Sequence, residues 1–333
     1  MKISLPVTIA VWLFAAIGVA FSFGFLGFSI RNRQTRIIKM SSPNLNNIMV
    51  MGSILCYISV ILFGIDGRFL TLEEYTRICN VRLKYYFVWS QVRSAVLCIG
   101  YSLSFGAMFS KTWRVHKIFA AGASLKKMAI KDHHLLVTVA ALLMTDVVFL
   151  SCWIATDPFQ SEMRKFEETL GEVHREYQVV IIPALYQCTC KYKMYFFAVV
   201  FTYKGLLLLF GIFLAWETRN VTIPALNDSK YIGMSVYNVF VLSVIGAVVS
   251  LALEGSEHYN ASYALLSMCL IMGTSLTMLL VFVPKIYHFY SKDEVTAQGI
   301  RAVHLMEGQN SQFSCKATQT TFNSSGCAGR KKK

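Results

Sequence analysis

Charge is scarce in this sequence. Of 333 residues only 15% are charged, against 55% hydrophobic, and acid is the rarer sign, with 18 Asp and Glu facing 32 Lys and Arg. A soluble domain carries about a quarter charged residues, so the deficit excludes that class and points to an integral membrane protein. Internal repeats and a polar line along one pore are missing too, which argues against a transporter or channel. Enzyme signals are equally thin. His133-His134 lacks further ligands at metal spacing, Cys188-Thr-Cys190 lacks a second pair and no nucleophile motif stands out, so no metal, cofactor or catalytic group is expected.

The apolar residues fall into seven blocks, at 6–30, 46–65, 94–110, 135–155, 194–216, 231–253 and 261–287. Each has the length that a helix needs to cross about 30 Å of hydrocarbon. The expected fold is therefore an all-α membrane protein, a seven-transmembrane helix bundle over residues 1–290. From Ser291 the composition turns to Ser, Thr, Gln and Gly without sustained heptads, so residues 291–333 are expected to form a disordered cytosolic tail.

The formal net charge of +14 invites a nucleic-acid reading, but its placement excludes one. Arg31, Arg33, Arg36 and Lys39 follow the first block, and Lys111, Arg114, Lys117, Lys126, Lys127 and Lys131 follow the third. By the positive-inside rule these connectors are cytosolic, which puts the N-terminus outside and the tail inside. Glu162, Glu167, Glu168, Glu172, Glu176, Glu254 and Glu257 then lie on the opposite side. Basic cytosolic loops face either membrane lipid headgroups or a protein partner. The first block runs for some 25 residues with basic residues after it, which fits a retained span better than a cleaved leader.

Two ionisable residues interrupt apolar blocks. Asp146 in the fourth and Lys204 in the fifth reach similar depths near the midplane, counted at 1.5 Å per residue from the cytosolic end. They either pair as a polar centre or are satisfied separately by Ser, Thr and backbone groups, the second being the favoured expectation. Cys56, Cys98, Cys152 and Cys269 fall inside blocks and read as small buried hydrophobes. Cys79, Cys188 and Cys190 fall in outside connectors, where an oxidising compartment permits a disulfide.

The connector and helix VTIPALNDSKYIGMSVYNV (Val221 to Val239) stand out, with Arg219, Asp228 and Lys230 at the membrane face. This stretch resembles the metabotropic GABA-B receptors of class C of the G-protein-coupled receptors, in the pattern of their second subunit. SSPNLNN (Ser41 to Asn47), SLSFGAMFSKTWRVHKIF (Ser102 to Phe119), YKGLLLLFGIFLAWETRNV (Tyr203 to Val221) and VFVPK (Val281 to Lys285) agree with it in order. The rhodopsin-like signals are missing: no D-R-Y follows the third block and no N-P-x-x-Y ends the seventh.

The resemblance implies a plasma-membrane receptor subunit that couples to an inhibitory heterotrimeric G protein and pairs with a GABA-B subunit 1-like chain as a heterodimer. It implies an ionic lock of Lys111 and Asp228 joined by Asn46, coupling through Leu226 with the basic loop residues Lys126 and Lys127, and a dimer face of Tyr231, Met234 and Asn238. It also implies a Cys79–Cys188 disulfide. A non-signalling class C protein acting as a dimer partner is the alternative. Family members carry a bilobed ligand-binding domain and a coiled coil, neither of which is seen here, so GABA binding by this chain is not expected. The sequence also departs from the family by a surplus stretch, residues 83–93, which follows one Val-Arg pair and ends in a second, and is expected to loop out if the disulfide forms.

Overall fold

A computed structural model describes residues 4–35, 38, 41–65, 89–120, 132–157, 160–165, 169–170, 180–181, 184–189, 191–219, 229–253 and 259–322. Among the described residues seven helices are long and apolar enough to cross a membrane. They are α1 (Leu5–Arg31), α2 (Pro43–Phe63), α3 (Trp89–Ala120), α4 (Asp132–Thr156), α5 (Lys193–Glu217), α6 (Ser229–Ala252) and α7 (Tyr259–Phe322). In hydrocarbon each backbone N–H and C=O must find its partner inside the segment, which makes the helix the only open-ended solution for such blocks. The polar side chains within them obey the same rule. Ser22 donates to the Gly18 carbonyl at 2.8 Å, Ser53 to Met49 at 3.0 Å and Thr112 to Met108 at 3.1 Å.

The helices form a bundle in which α2 is the most enclosed, while α4, α5 and α6 turn much of their surface outward. The main core joins Leu45, Met49, Val50 and Ile54 of α2 to Phe105, Met108 and Phe109 of α3, and takes in Leu208, Leu214, Val236 and Phe282 from α5, α6 and α7. A second cluster, around Val11, Ala15, Tyr57 and Tyr263, ties α1 and α2 to α7. Lipid tails are as apolar as leucine, so helices in a bilayer associate through close fit rather than through escape from water. The α2–α3 crossing shows it: a Cβ on Gly52 would stand 2.7 Å from the Gly100 carbonyl oxygen, and one on Gly100 would stand 3.0 Å from the Cys56 nitrogen. Backbone meets backbone here, and nothing can swing aside. Gly52→Val is expected to cost more than the 1–3 kcal/mol typical of overpacking. Surface expression and the melting temperature of the solubilised protein should both fall, whereas Gly24→Val, at a position open to its surroundings, should leave both unchanged.

Two sequence expectations meet a different structure. The third span is longer than its apolar block, because α3 runs on through Lys111, Arg114 and Lys117 to Ala120. Polar helix can project from a membrane, and a hydropathy count stops where the apolar residues stop. Four short strands, β1 (Gln160–Lys165), β2 (Thr169–Leu170), β3 (Val180–Ile181) and β4 (Ala184–Thr189), stand between α4 and α5, with β1 antiparallel to β4 and β2 to β3. Outside the bilayer, water can satisfy strand edges, so the helix-only constraint no longer applies. Past Ser291, α7 continues to Phe322. No proline interrupts 291–322, and extending an existing helix avoids the nucleation cost that an isolated segment faces. The chain falls into two compact units, Met1–Val283 and Pro284–Lys333.

The surplus stretch is also partly helical. Trp89 to Arg93 form the first turn and more of α3, and the Arg93 guanidinium lies 5.5 Å from the centre of the Phe63 ring. The second Val-Arg pair, Val92 and Arg93, therefore belongs to the third span. Cys79 lies outside the described residues, while Cys188 sits in β4 opposite Ser161.

Candidate functional site

Two polar groupings occupy the bundle, one toward the cytosolic end and one near mid-depth. At the cytosolic end Lys111 lies inside α3, about two and a half turns short of the helix end, and turns onto α2. It is 7% exposed, and its Nζ donates to Oδ1 of Asn46, itself 1% exposed. Asn46 Nδ2 in turn donates to Ser41 Oγ at 3.3 Å. Lys111 is thus a buried cation, not the solvated loop charge that its place after the third apolar block suggests. The reason is the extension of α3, which carries it along the α2 surface instead of releasing it into a loop.

Beside it stands a contact that the sequence does not announce. Arg114 NH1 donates to Ser42 Oγ at 2.6 Å and meets Asp132 Oδ1 at 3.1 Å, and the Ser42 hydroxyl donates to Asp132 at 3.0 Å. Ser42 adopts a left-handed backbone, φ 55°, immediately before Pro43 opens α2. This conformation is uncommon for a residue with a Cβ, and proline fixes its own φ but not that of its neighbour. The three residues join the start of α2 to α3 and to the first residue of α4. Ser29 Oγ, donating to Asn47 Oδ1 at 2.7 Å, adds α1.

Near mid-depth, Lys204 of α5 and Asp146 of α4 form an ion pair. Lys204 Nζ lies 2.7 and 2.8 Å from the two carboxylate oxygens and also donates to Ser102 Oγ of α3. The rings of Tyr101 and Tyr203 flank the ammonium, with centres 5.5 and 5.3 Å away. The favoured expectation of separate satisfaction is corrected: both charges face the same crevice. Helix rotation, which spacing along one chain cannot supply, decides this. Ser102, Tyr101 and Tyr203 were missed because a serine or tyrosine in an apolar block gives no signal apart from its neighbours in space.

The predicted dimer residues share a stripe but differ in exposure: Met234 is exposed, Tyr231 and Asn238 are half-buried. On α6 Met234, Tyr237, Val244, Val248 and Leu251 point outward. Asn238 turns inward, where its Nδ2 donates to the Gly273 carbonyl at 3.1 Å and to Thr277 Oγ1 at 3.3 Å on α7. At 100° per residue it stands roughly 95° from the middle of the outward stripe, an offset that the i, i+3, i+7 pattern blurs. Asp228, Leu226, Lys126 and Lys127 lie outside the described residues. Among the described residues no group of three or more His, Cys, Asp or Glu stands together as a metal site.

The comparisons agree with this architecture. Residues 1–285 match the family described as 7 transmembrane sweet-taste receptor of 3 GCPR. Gamma-aminobutyric acid type B receptor subunit 2 of Homo sapiens is 40% identical over 320 residues, which cover 96% of this chain and 32% of the relative. The protein of the same name from Caenorhabditis elegans is 43% identical over 278 residues, 84% of this chain and 31% of its own length. Gamma-aminobutyric acid type B receptor subunit 1 of Rattus norvegicus is 33% identical over 288 residues, 86% of this chain and 28% of its own. The chain thus spans about a third of the length of the curated relatives it matches. Seven spanning helices, matched from residue 1 to residue 285, make this chain a member of the class C G-protein-coupled receptors, multi-pass proteins of the plasma membrane and not enzymes.

Proposed function

We propose that the chain acts as the signalling subunit of a GABA-B-like receptor, passing activation to an inhibitory heterotrimeric G protein while paired with a subunit 1-like chain. The observation that carries this reading is the buried Lys111–Asn46 contact at the cytosolic end. A buried ammonium calls for an anion as well as a neutral acceptor. Asp228, directly before α6, is the residue that the family resemblance brings to it. Together they form a lock across α2, α3 and α6 whose release frees the third cytosolic connector. Leu226, an apolar residue in that polar connector, docks into the G protein, and Lys126 and Lys127 flank the contact from the second loop.

The heterodimer meets α6 along Met234 and Tyr237, with Tyr231 at the margin and Asn238 contributing from within. Leu226→Pro tests the reading in cells that also supply a subunit 1 partner. Proline rigidifies the connector at the docking residue, so G protein activation should drop to background at unchanged surface level, and cysteine crosslinking at Met234 should still yield dimer. Normal signalling by Leu226→Pro would remove the coupling role from this connector.

A further inference from the structure

We propose that the Asp146–Lys204 ion pair is the pivot of the fifth span: among the described residues it is the innermost charged tie between α4 and α5, and below it α5 packs on α3 and α6 instead. The outer ends of these helices are pinned. The Asp157 carboxylate, just past α4, accepts from the backbone N–H of Lys191 at 3.2 Å and of Tyr192 at 2.6 Å, at the start of α5. Trp153 stacks on Phe196 with ring centres 4.9 Å apart and meets Phe197 edge-on at 5.5 Å. Two turns further in comes the ion pair, with Ser102 of α3 as its third member.

Past that depth α5 changes partners. Phe210 faces Phe109 and Trp113 of α3, at 5.7 and 5.9 Å between ring centres, and α5 packs along α6. Backbone contact between α4 and α5 is sparse throughout. From Lys204 to the end of α5 at Glu217 is a lever of about 20 Å at 1.5 Å per residue. Helices in lipid are held by close packing and by directional polar contacts, and where α4 and α5 pack sparsely the charged contact is the stronger tie. If both charges are removed, the pivot retreats to Trp153 and Phe196, about 12 Å further out. The inner half of α5, which leads into the third cytosolic connector, then swings more widely. The pivot itself is a property of the bundle; its effect on signalling rests on the coupling role proposed above.

Cys98 reports on the crevice. It lies one turn before Ser102 on α3, is a free thiol, and stands near both charges. Cys152, free and exposed on α4, serves as the internal reference. The test combines Asp146→Leu with Lys204→Met in the full chain, co-expressed with a subunit 1 partner, and follows N-ethylmaleimide labelling of both thiols in membranes by mass spectrometry. Removing both partners strands neither charge, so the variant should reach the surface. Labelling of Cys98 relative to Cys152 should accelerate about tenfold, as the local opening becomes easier, and basal nucleotide exchange should rise with it. An unchanged Cys98 rate overturns the pivot. Faster labelling with flat basal exchange upholds the pivot and counts against the coupling role. Asp146→Ala with Lys204→Leu, which likewise leaves neither charge nor hydrogen bond between the helices, substitutes where the first pair does not reach the surface, with the same readings.

Discussion

Lys204→Met should strip most folded protein from the cell surface, while Asp146→Asn should lower it much less. Both break the same pair, but they leave different remnants. In Lys204→Met the Asp146 carboxylate, with a side chain 3% exposed, loses both of its short contacts to the ammonium. Removing one partner of a buried pair costs about 3–5 kcal/mol, a large part of the 5–15 kcal/mol that separates folded from unfolded states. In Asp146→Asn the ammonium keeps an amide oxygen, the Ser102 hydroxyl and the Tyr101 and Tyr203 ring faces. A cation over an aromatic face gains about 0.5–2 kcal/mol when partly desolvated, so much of the loss is offset. Surface labelling and the melting temperature of solubilised protein should rank wild type, Asp146→Asn and Lys204→Met in that order. Equal melting temperatures for all three would show that the pair does not hold the bundle together.

The same pair marks the limit of what the sequence reveals. Seven helices were legible because a span is a one-dimensional object: twenty apolar residues in a row state its existence, and the loop lysines state its direction. The depths of Asp146 and Lys204 were legible for the same reason. Their meeting was not, since it depends on the rotation of two helices about their own axes. Asn238 shows the converse error, a residue placed on an outward stripe by spacing that in fact bonds to α7. Lys111 shows a third: hydropathy ended the span at residue 110, yet α3 continues for ten residues and makes that lysine a buried group. Outside the spans, β1 pairs with β4 although β1, QSEMRK, carries no apolar alternation to announce a strand.

Burial of Lys111 also sets the size of the remaining effect. A solvated ion pair would contribute about 0–1 kcal/mol and fade with salt. At 7% exposure, bonded to an asparagine that is itself 1% exposed, Lys111 makes a charge-assisted hydrogen bond shielded from solvent, a class worth about 1.5–3 kcal/mol. If this contact and its extension to Asp228 exist only in the resting arrangement, removing the lysine takes that energy from one state alone. A loss of 1.4 kcal/mol changes the ratio of two states about tenfold. Lys111→Ala should therefore raise basal G protein activation by roughly tenfold at unchanged surface level. Asn46→Ala should move it in the same direction but less far, because the ammonium retains its other contacts. The sign distinguishes a lock from a strut, since a strut that merely supports the cytosolic face would lower basal and stimulated signalling together when cut. Raising the ionic strength on the cytosolic side of isolated membranes should leave the wild-type basal rate nearly unchanged, as a buried contact is screened far less than an exposed one. A basal rate in Lys111→Ala at or below wild type would exclude the lock.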